Sequence, residues 1–504
     1  MTKKEEFFDY INKGYQTKGD FITLGAAMLG EETVTEAFVK IPLKTLNRHG
    51  LIAGATGTGK SKTLQVLSEN LSEKGIPVLL MDVKGDLSGL AQASPGHAKI
   101  DERHALIGLP FEAKPFPVEI LTISEQDGTR LRATVSEFGP VLLSRILDLS
   151  EVQSGIVAVL FKYCDDKKFP LLDLKDFKKV LQYATNEGKE ELEGEYGRIS
   201  TSSTGAILRK VVEIEQQGGD LFFGERSFEI DDLIRVDDDG KGVISVLRLT
   251  DIQDKPKLFS TFMLQLLAEI YSTLPEQGDS GRPELILFID EAHLIFKEAS
   301  KALLSQIESI VKLIRSKGVG VYFVTQNPKD IPSDVLSQLG LKIQHALRAF
   351  TANDRKAIKL TAENYPDSDY YDTAEVLTKL GIGEALVSTL NEKGIPTPLA
   401  RTMLRAPMSR MDILTQTELS TLIGNSKIAR KYNEEIDRES AYEILNKKIE
   451  KAHEIEVAEK KEEVKQKATR TTTRKSTRMN PILKVVTSAT FIRGILGVLK
   501  KVMK

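Results

Sequence analysis

One octet constrains this chain more than any other stretch: Gly54-Ala-Thr-Gly-Thr-Gly59-Lys60-Ser61, which fits the pattern G-x-x-x-x-G-K-[ST] in full. A short apolar strand, Leu51–Ala53, leads into it, and an amphipathic helix comes next. Glycines let the backbone wrap so that its N–H groups converge, and the start of the next helix adds further donors. Such a cradle suits phosphate. Lys60 would carry positive charge to the outer phosphates, and the Ser61 hydroxyl would coordinate Mg²⁺. The expected nucleotide-binding residues are therefore Gly54, Ala55, Thr56, Gly57, Thr58, Gly59, Lys60, Ser61 and Lys62, with ATP and Mg²⁺ as cofactors.

The helix gives way to a second fully apolar strand in GIPVLLMDVKGD. Strand, loop, helix, strand is a βαβ unit, and strands apolar on both faces imply a mainly parallel sheet covered by helices. Val118–Ile123 is another strand candidate. From 128 to about 235 the period is mostly helical, which suggests an insertion; strands then resume in GVISVLRL, ELILFIDEA, GVGVYFVTQ and LKIQHALRA, with GEALVSTL and TPLARTML as a late hairpin. The expected fold class is α/β, with the core in two parts, 47–127 and 236–405, around the insertion at 128–235. Residues 1–46 hold a helix and two or three strands, too few to bury a core alone, so they should pack on the core that begins at 47. Beyond 405 the expectation is a charged helical extension (406–466), a basic disordered linker (467–480) and an amphipathic basic helix (481–504).

Leu285-Ile-Leu-Phe-Ile-Asp290-Glu291 is an apolar strand that ends in two acids. A buried strand carries such charges only at its end, where solvent or a metal meets them. Asp290 would hold Mg²⁺ through water, and Glu291 would polarise an attacking water as general base. The second acid separates motor-type ATPases from kinases and GTPases. His293, in the DEAH run, reads more naturally as structural. The strand Gly320–Thr325 ends in Gln326; ligands of parallel sheets lie beyond the carboxyl ends of the strands. Gln326 is thus either a polar sensor of phosphate or a solvated strand-end amide. Lys84 and Asp86 end another strand and either face the site or form a turn with a local ion pair.

Taken together, RHGLIAGATGTGKSKTLQ, LLMDVKGDLSGLA, LFIDEAHLIF and IRSKGVGVYFVTQNP resemble the HerA/FtsK group of RecA-like hexameric ATPases, in particular the bacterial HerA-like helicase-domain proteins. The resemblance runs over about residues 20–405. It implies a RecA-like P-loop core, a homo-oligomeric ring expected to be hexameric, and DNA translocase or helicase activity. It also implies an arginine that reaches the neighbouring subunit's γ-phosphate. Arg315 and Arg48 match by position, with Arg348 and Arg355 in reserve. HerA proteins usually carry a full N-terminal β-barrel, whereas about 46 residues precede the motor here. Two rival functions share these motifs: a protein-remodelling or secretion-type motor, and a nucleotide-gated scaffold without significant turnover.

Composition bounds the partners. A formal net charge of −2 gives no overall electrostatic case for nucleic acid, so a DNA surface would have to be a local patch. The single cysteine, Cys164, excludes an internal disulfide and fits a reducing compartment. No apolar run reaches the roughly 20 residues of a membrane span, so a cytoplasmic location is expected. The basic amphipathic end can lie on a membrane surface, dock on a protein partner or pack on its own ring.

Overall fold

The computed structural model describes residues 2–471 apart from 279, 299–300, 435 and 437. Residues 1–444 form one compact unit and the chain from 445 a second. In the first unit twelve described strands make one sheet. They are β1 (Phe21–Leu29), β2 (Glu32–Pro42), β3 (Gly50–Ala53), β4 (Val78–Asp82), β5 (Val118–Thr122), β6 (Thr129–Arg130), β7 (Ile244–Arg248), β8 (Leu285–Ile289), β9 (Val319–Thr325), β10 (Leu341–Gln344), β11 (Glu384–Ser388) and β12 (Ala400–Leu404). Their order is β2-β1-β12-β11-β10-β3-β9-β8-β4-β7-β5-β6.

Two chemistries of strand make two regions. From β10 to β6 every pairing is parallel. The inner strands of this block are buried along their whole length, as VLLMD, LILFI and VGVYFVT require. Helix Pro256–Thr273 buries a largely apolar face, whereas helix Lys60–Glu73 buries Leu64, Val66, Leu67 and Leu71 together with polar residues such as Gln65 and Glu69. From β10 outward through β11, β12, β1 and β2 every pairing is antiparallel. The amino-terminal segment thus extends the sheet itself, through Gly25↔Leu404 and its neighbours. Helix Lys3–Gly14, closed by a Thr2–Glu5 capping box, buries Phe7 and Ile11 beside it.

Between β6 and β7 lie helices Val135–Ile146, Glu151–Lys167, Leu174–Thr185, Lys189–Tyr196 and Thr201–Gln216. Cys164 is buried within this group, where burial pushes its thiol up to about 12. The change of composition near 405 does not end the packed unit. Helices Gln416–Asn425 and Lys427–Tyr432 bury Leu419, Ile428 and Tyr432, and a buried carboxylate, Glu69, accepts hydrogen bonds from the N–H groups of Met408 (2.8 Å) and Ser409 (2.9 Å). The charged segment after them is a continuous helix, Ala441–Thr471, exposed from 451 to 462 with a Lys460–Glu456 pair one turn apart. It runs through 467, where a disordered linker was expected; the rest of that linker and the terminal helix at 481–504 lie outside the described residues. Among the described residues no helix is long and apolar enough to cross a membrane.

Candidate active site

The phosphate loop leaves β3 at the centre of the sheet, flanked by β10 and β9. Backbone bonds anchor its first two residues on both sides: Gly54 N–H donates to the Thr325 carbonyl (3.3 Å) and Ala55 N–H to that of Ala346 (2.8 Å). At Gly54 a Cβ would stand 2.5 Å from the Cβ of His345, so only glycine fits. Gly59, at φ +109°, turns the chain into helix Lys60–Glu73. Lys60 is 5% exposed, and its ammonium donates to the carbonyls of Gly54 (2.6 Å) and Ala55 (3.1 Å), inside the curve of the loop. Burial, and then the nearby Lys84 charge, lower its pKa.

Two strands away, β8 delivers Asp290 and Glu291 at 4% and 6% exposure. Asp290 Oδ1 accepts from the Glu291 N–H at 2.9 Å. Glu291 holds φ +47°, the left-handed region that a side chain enters at a cost of about 1–3 kcal/mol. Burial moves the Asp290 carboxyl up to about 6, against the pull of Lys84. Lys84 sits on the turn after β4, the strand beside β8, and its ammonium is 2.8 Å from Glu291 Oε1 and 3.6 Å from Asp290 Oδ2. Burial would raise the Glu291 carboxyl, but Lys84 outweighs it and holds the pKa below the ordinary value. Burial likewise works against the Lys84 charge, and the two acids hold it above its usual value.

Asp82 shapes that turn. It is buried and accepts from the N–H groups of Gly85 (2.7 Å), Asp86 (3.2 Å) and Leu87 (3.1 Å). Gln326, directly after β9, donates to Glu291 Oε1 at 3.4 Å. His293 Nδ1 lies 3.2 Å from Glu291 Oε2, an atom that is buried and accepts no hydrogen bond. Lys60, Asp290, Glu291, Gln326 and Lys84 therefore all stand at the carboxyl edge of the parallel block, and the last four meet around one carboxylate.

Arg48 and Arg315 stand elsewhere. Arg48 ends the turn Leu43–Arg48 before β3, and Arg315 opens the turn Arg315–Lys317 before β9. Both line one cleft of about 410 Å³ at the amino edge of the sheet, with Lys44, Lys312, Glu276 and Glu392. β9 is 7 residues long, so on the order of 20 Å of strand separates that edge from Gln326. Neither arginine belongs to its own chain's phosphate loop.

A residue not foreseen from sequence completes the carboxyl edge. His345 follows β10, is fully buried, and its Nε2 lies 2.9 Å from Thr63 Oγ1 on the phosphate-loop helix. Burial, and then Lys60, lower its pKa to about 4, so the ring is neutral at pH 7. The one signal for it is a histidine directly after a strand, and only the pairing of β10 with β3 gives that signal meaning.

The family described as Helicase HerA-like C-terminal matches residues 28–501. This chain belongs to that family. Among its relatives is the DNA double-strand break repair helicase HerA of Sulfolobus acidocaldarius, 26% identical over 381 residues, which are 72% of this chain and 66% of that protein. The HerA of Saccharolobus solfataricus is 27% identical over 358 residues, 69% of this chain and 63% of that one. The chain thus spans just under two thirds of the length of these curated relatives. In fold it is similar to the plasmid coupling protein TrwB, solved with the ATP analogue ADPNP: TM-score 0.52, 16% identity, 81% of this chain and 95% of that one. The fold of this HerA-family chain is thus an α/β core in which the loop Gly54–Ser61, the strand-end acids and the strand-end glutamine share one edge.

Proposed function

We propose that this HerA-family chain is an ATP-hydrolysing ring motor that acts on DNA as a translocase or helicase. The observation that carries the reading is that the strand-end acids and the two arginines stand at opposite edges of the sheet. One edge holds the loop Gly54–Ser61, Asp290 and Glu291; at the other Arg48 and Arg315 line one cleft. A second copy placed edge to edge would bring an arginine to the γ-phosphate that its own chain does not supply.

The residues fit a nucleotide with Mg²⁺. The loop offers positive φ at Gly54, Gly57 and Gly59 and a buried lysine, Ser61 a hydroxyl, and Asp290 a buried carboxylate whose charge Lys84 offsets within the chain. When bound, Mg²⁺ on Ser61 and Asp290 would neutralise charge building on the β- and γ-phosphates. Lys60 would turn from the loop carbonyls to the outer phosphates. Glu291, held ionised, would take a proton from the attacking water as the water oxygen bonds to the γ-phosphorus and the bond to ADP breaks. Gln326, which already touches Glu291, would fix the orientation of that water. Arg315, with Arg48 as second candidate, would stabilise the transition-state charge in the neighbouring subunit.

The DNA assignment is supported by the HerA relatives, whose names describe helicases of double-strand break repair. The test is ATP turnover with and without single- and double-stranded DNA, beside Glu291→Gln. Turnover that rises several-fold with DNA and falls by about 10²–10⁴-fold in the variant is expected. Turnover lost in the variant yet indifferent to DNA would overturn the substrate and leave the ATPase.

A further inference from the structure

The most exposed large apolar side chain among the described residues is Phe350, at 87%. It stands six residues beyond β10, on the loop that leaves the carboxyl edge. This loop is built rather than frayed. Asp354 Oδ2 accepts from the N–H groups of Phe350 (2.9 Å) and Thr351 (2.7 Å), and Thr351 Oγ1 accepts from Asp354 N–H (3.2 Å). That capping box opens helix Ala352–Ala362. Behind it Ala346, Ile358, Tyr365, Leu377 and Leu380 form a small apolar cluster of their own. The backbone at Phe350 is thus fixed while its ring points into solvent.

Four cations lie within nine positions of Phe350 in the sequence. Arg348, Arg355, Lys356 and Lys359 are all exposed, and none of them forms a salt bridge among the described residues. The one acid between positions 348 and 359, Asp354, is occupied by the cap. In a chain of net charge −2 this is a local basic patch with an aromatic at its tip. That combination fits a nucleic-acid strand, since cations pair with phosphates and a ring offers every base a stacking face. A protein partner would be served by the ring but would need acidic side chains to match its rim.

The foot of the loop is locked to the nucleotide site. His345 N–H donates to the Ala53 carbonyl (2.7 Å), and the Ala346 carbonyl accepts from Ala55 N–H (2.8 Å). The His345 ring lies on Thr63, and its Cβ fills the space over Gly54. Close-packed contacts of this kind do not compress, so displacement of the phosphate loop must carry residues 345–346 with it. Four residues later comes Phe350.

We propose that the segment Arg348–Lys359 is the nucleic-acid contact of this chain: Phe350 stacks on a base, the four cations hold phosphates, and His345–Ala346 couples the grip to the phosphate loop. The proposal rests on the DNA-motor reading and assigns that reading a surface.

The test uses the full chain, as wild type, as Phe350→Ala and as the double variant Lys356→Gln/Lys359→Gln. Fluorescence anisotropy follows a labelled 40-nucleotide single strand and the matching duplex over a range of salt, and ATP turnover without DNA is measured alongside. All substituted side chains are exposed, so unfolding midpoints and basal turnover should be unchanged. Phe350→Ala should weaken single-strand binding about tenfold with little change in salt dependence. The lysine variant should reduce the slope of log affinity against log salt by about 1.4 for single strands and about 1.8 for duplex. If wild type binds DNA and both variants bind equally well, the contact lies elsewhere and the motor reading stands. If wild type turns over ATP but does not bind DNA, both this proposal and the DNA substrate fail. Turnover raised instead by an unfolded polypeptide such as casein, and lost in Phe350→Ala, would make the loop a protein grip and overturn the assignment.

Discussion

At the carboxyl edge of the parallel strands, Asp290 and Glu291 are buried and their charge is balanced inside the chain by Lys84. At the amino edge, Arg48 and Arg315 line an open cleft, with Arg315 exposed. The first arrangement is self-contained: Lys84 pairs with both acids, Gln326 touches Glu291, and loop carbonyls hold Lys60. The second sets the two arginines, Lys44 and Lys312 beside Glu276 and Glu392 around a cleft open to solvent. In the proposed ring the edge with the covered acids and the edge with the arginines would be the two faces of a joint between copies, and the difference predicts which residues act within a chain and which act across one.

Lys60→Ala should break the self-contained edge outright. Lys60 is the cation inside the loop, and alanine removes it without touching the amino edge. Turnover should fall on the order of 10³-fold, with nucleotide binding lost in a titration with a fluorescent ATP analogue. Adding a second variant with Lys60 intact should not restore the altered sites, because this lysine serves its own loop. Recovery on mixing would mean that the loop is shared between copies and would erase the contrast.

Arg315→Ala should sharpen it. Nucleotide binding by the single chain should be retained, while turnover of the assembled protein falls by on the order of 10²–10³-fold. Mixed with Glu291→Gln, itself nearly inactive, the arginine variant should regain part of the lost rate. Sites then form that take Glu291 from one chain and Arg315 from the next. Two inactive variants that stay inactive when mixed, although they co-assemble, would place the arginine outside the neighbour's site; Arg48→Ala, run in parallel, shows whether the second candidate takes the role.

The two edges also differed in how far they could be read from sequence. Gly54–Ser61, Asp290, Glu291 and Gln326 each follow an apolar strand directly, and the rule that ligands lie beyond the carboxyl ends of parallel strands puts them on one edge without any knowledge of strand order. Lys84 needed more. Its closure on both acids depends on β4 lying beside β8, a pairing such as Val78↔Ile286 that no local pattern carries. His345 was missed for the same reason, because it acts on Thr63 across 282 positions of sequence. The antiparallel extension was seen as short apolar runs, but their place in the sheet depends on β1 meeting β12. The shift of composition near 405 carries a different kind of information. Lysine and glutamate describe what faces solvent, while a few residues such as Leu419 and Tyr432 keep the segment packed.

The smallest effect tests whether the amino edge is more than a surface. His49 lies directly before β3, fully inside, at φ +58°. Its Nδ1 accepts from the Val321 N–H in the middle of β9 (3.0 Å), so its Nε2 carries the proton and donates to the Val311 carbonyl (2.9 Å) on helix Lys301–Ile314. Burial lowers its pKa to about 4, and the ring is neutral at pH 7. His49 thus ties the start of the phosphate-loop strand to the helix that ends just before Arg315. His49→Ala leaves a buried N–H and a carbonyl without their partner, which should cost about 1–3 kcal/mol, read as a lower midpoint of chemical unfolding. If the edges are independent, the folded variant should bind nucleotide normally and lose only a few-fold of turnover. A loss as large as that of Arg315→Ala, with nucleotide affinity intact, would instead mean that Arg315 acts only when β3 holds it in place. The carboxyl edge would then sense its neighbour through the same strand that carries its phosphate loop.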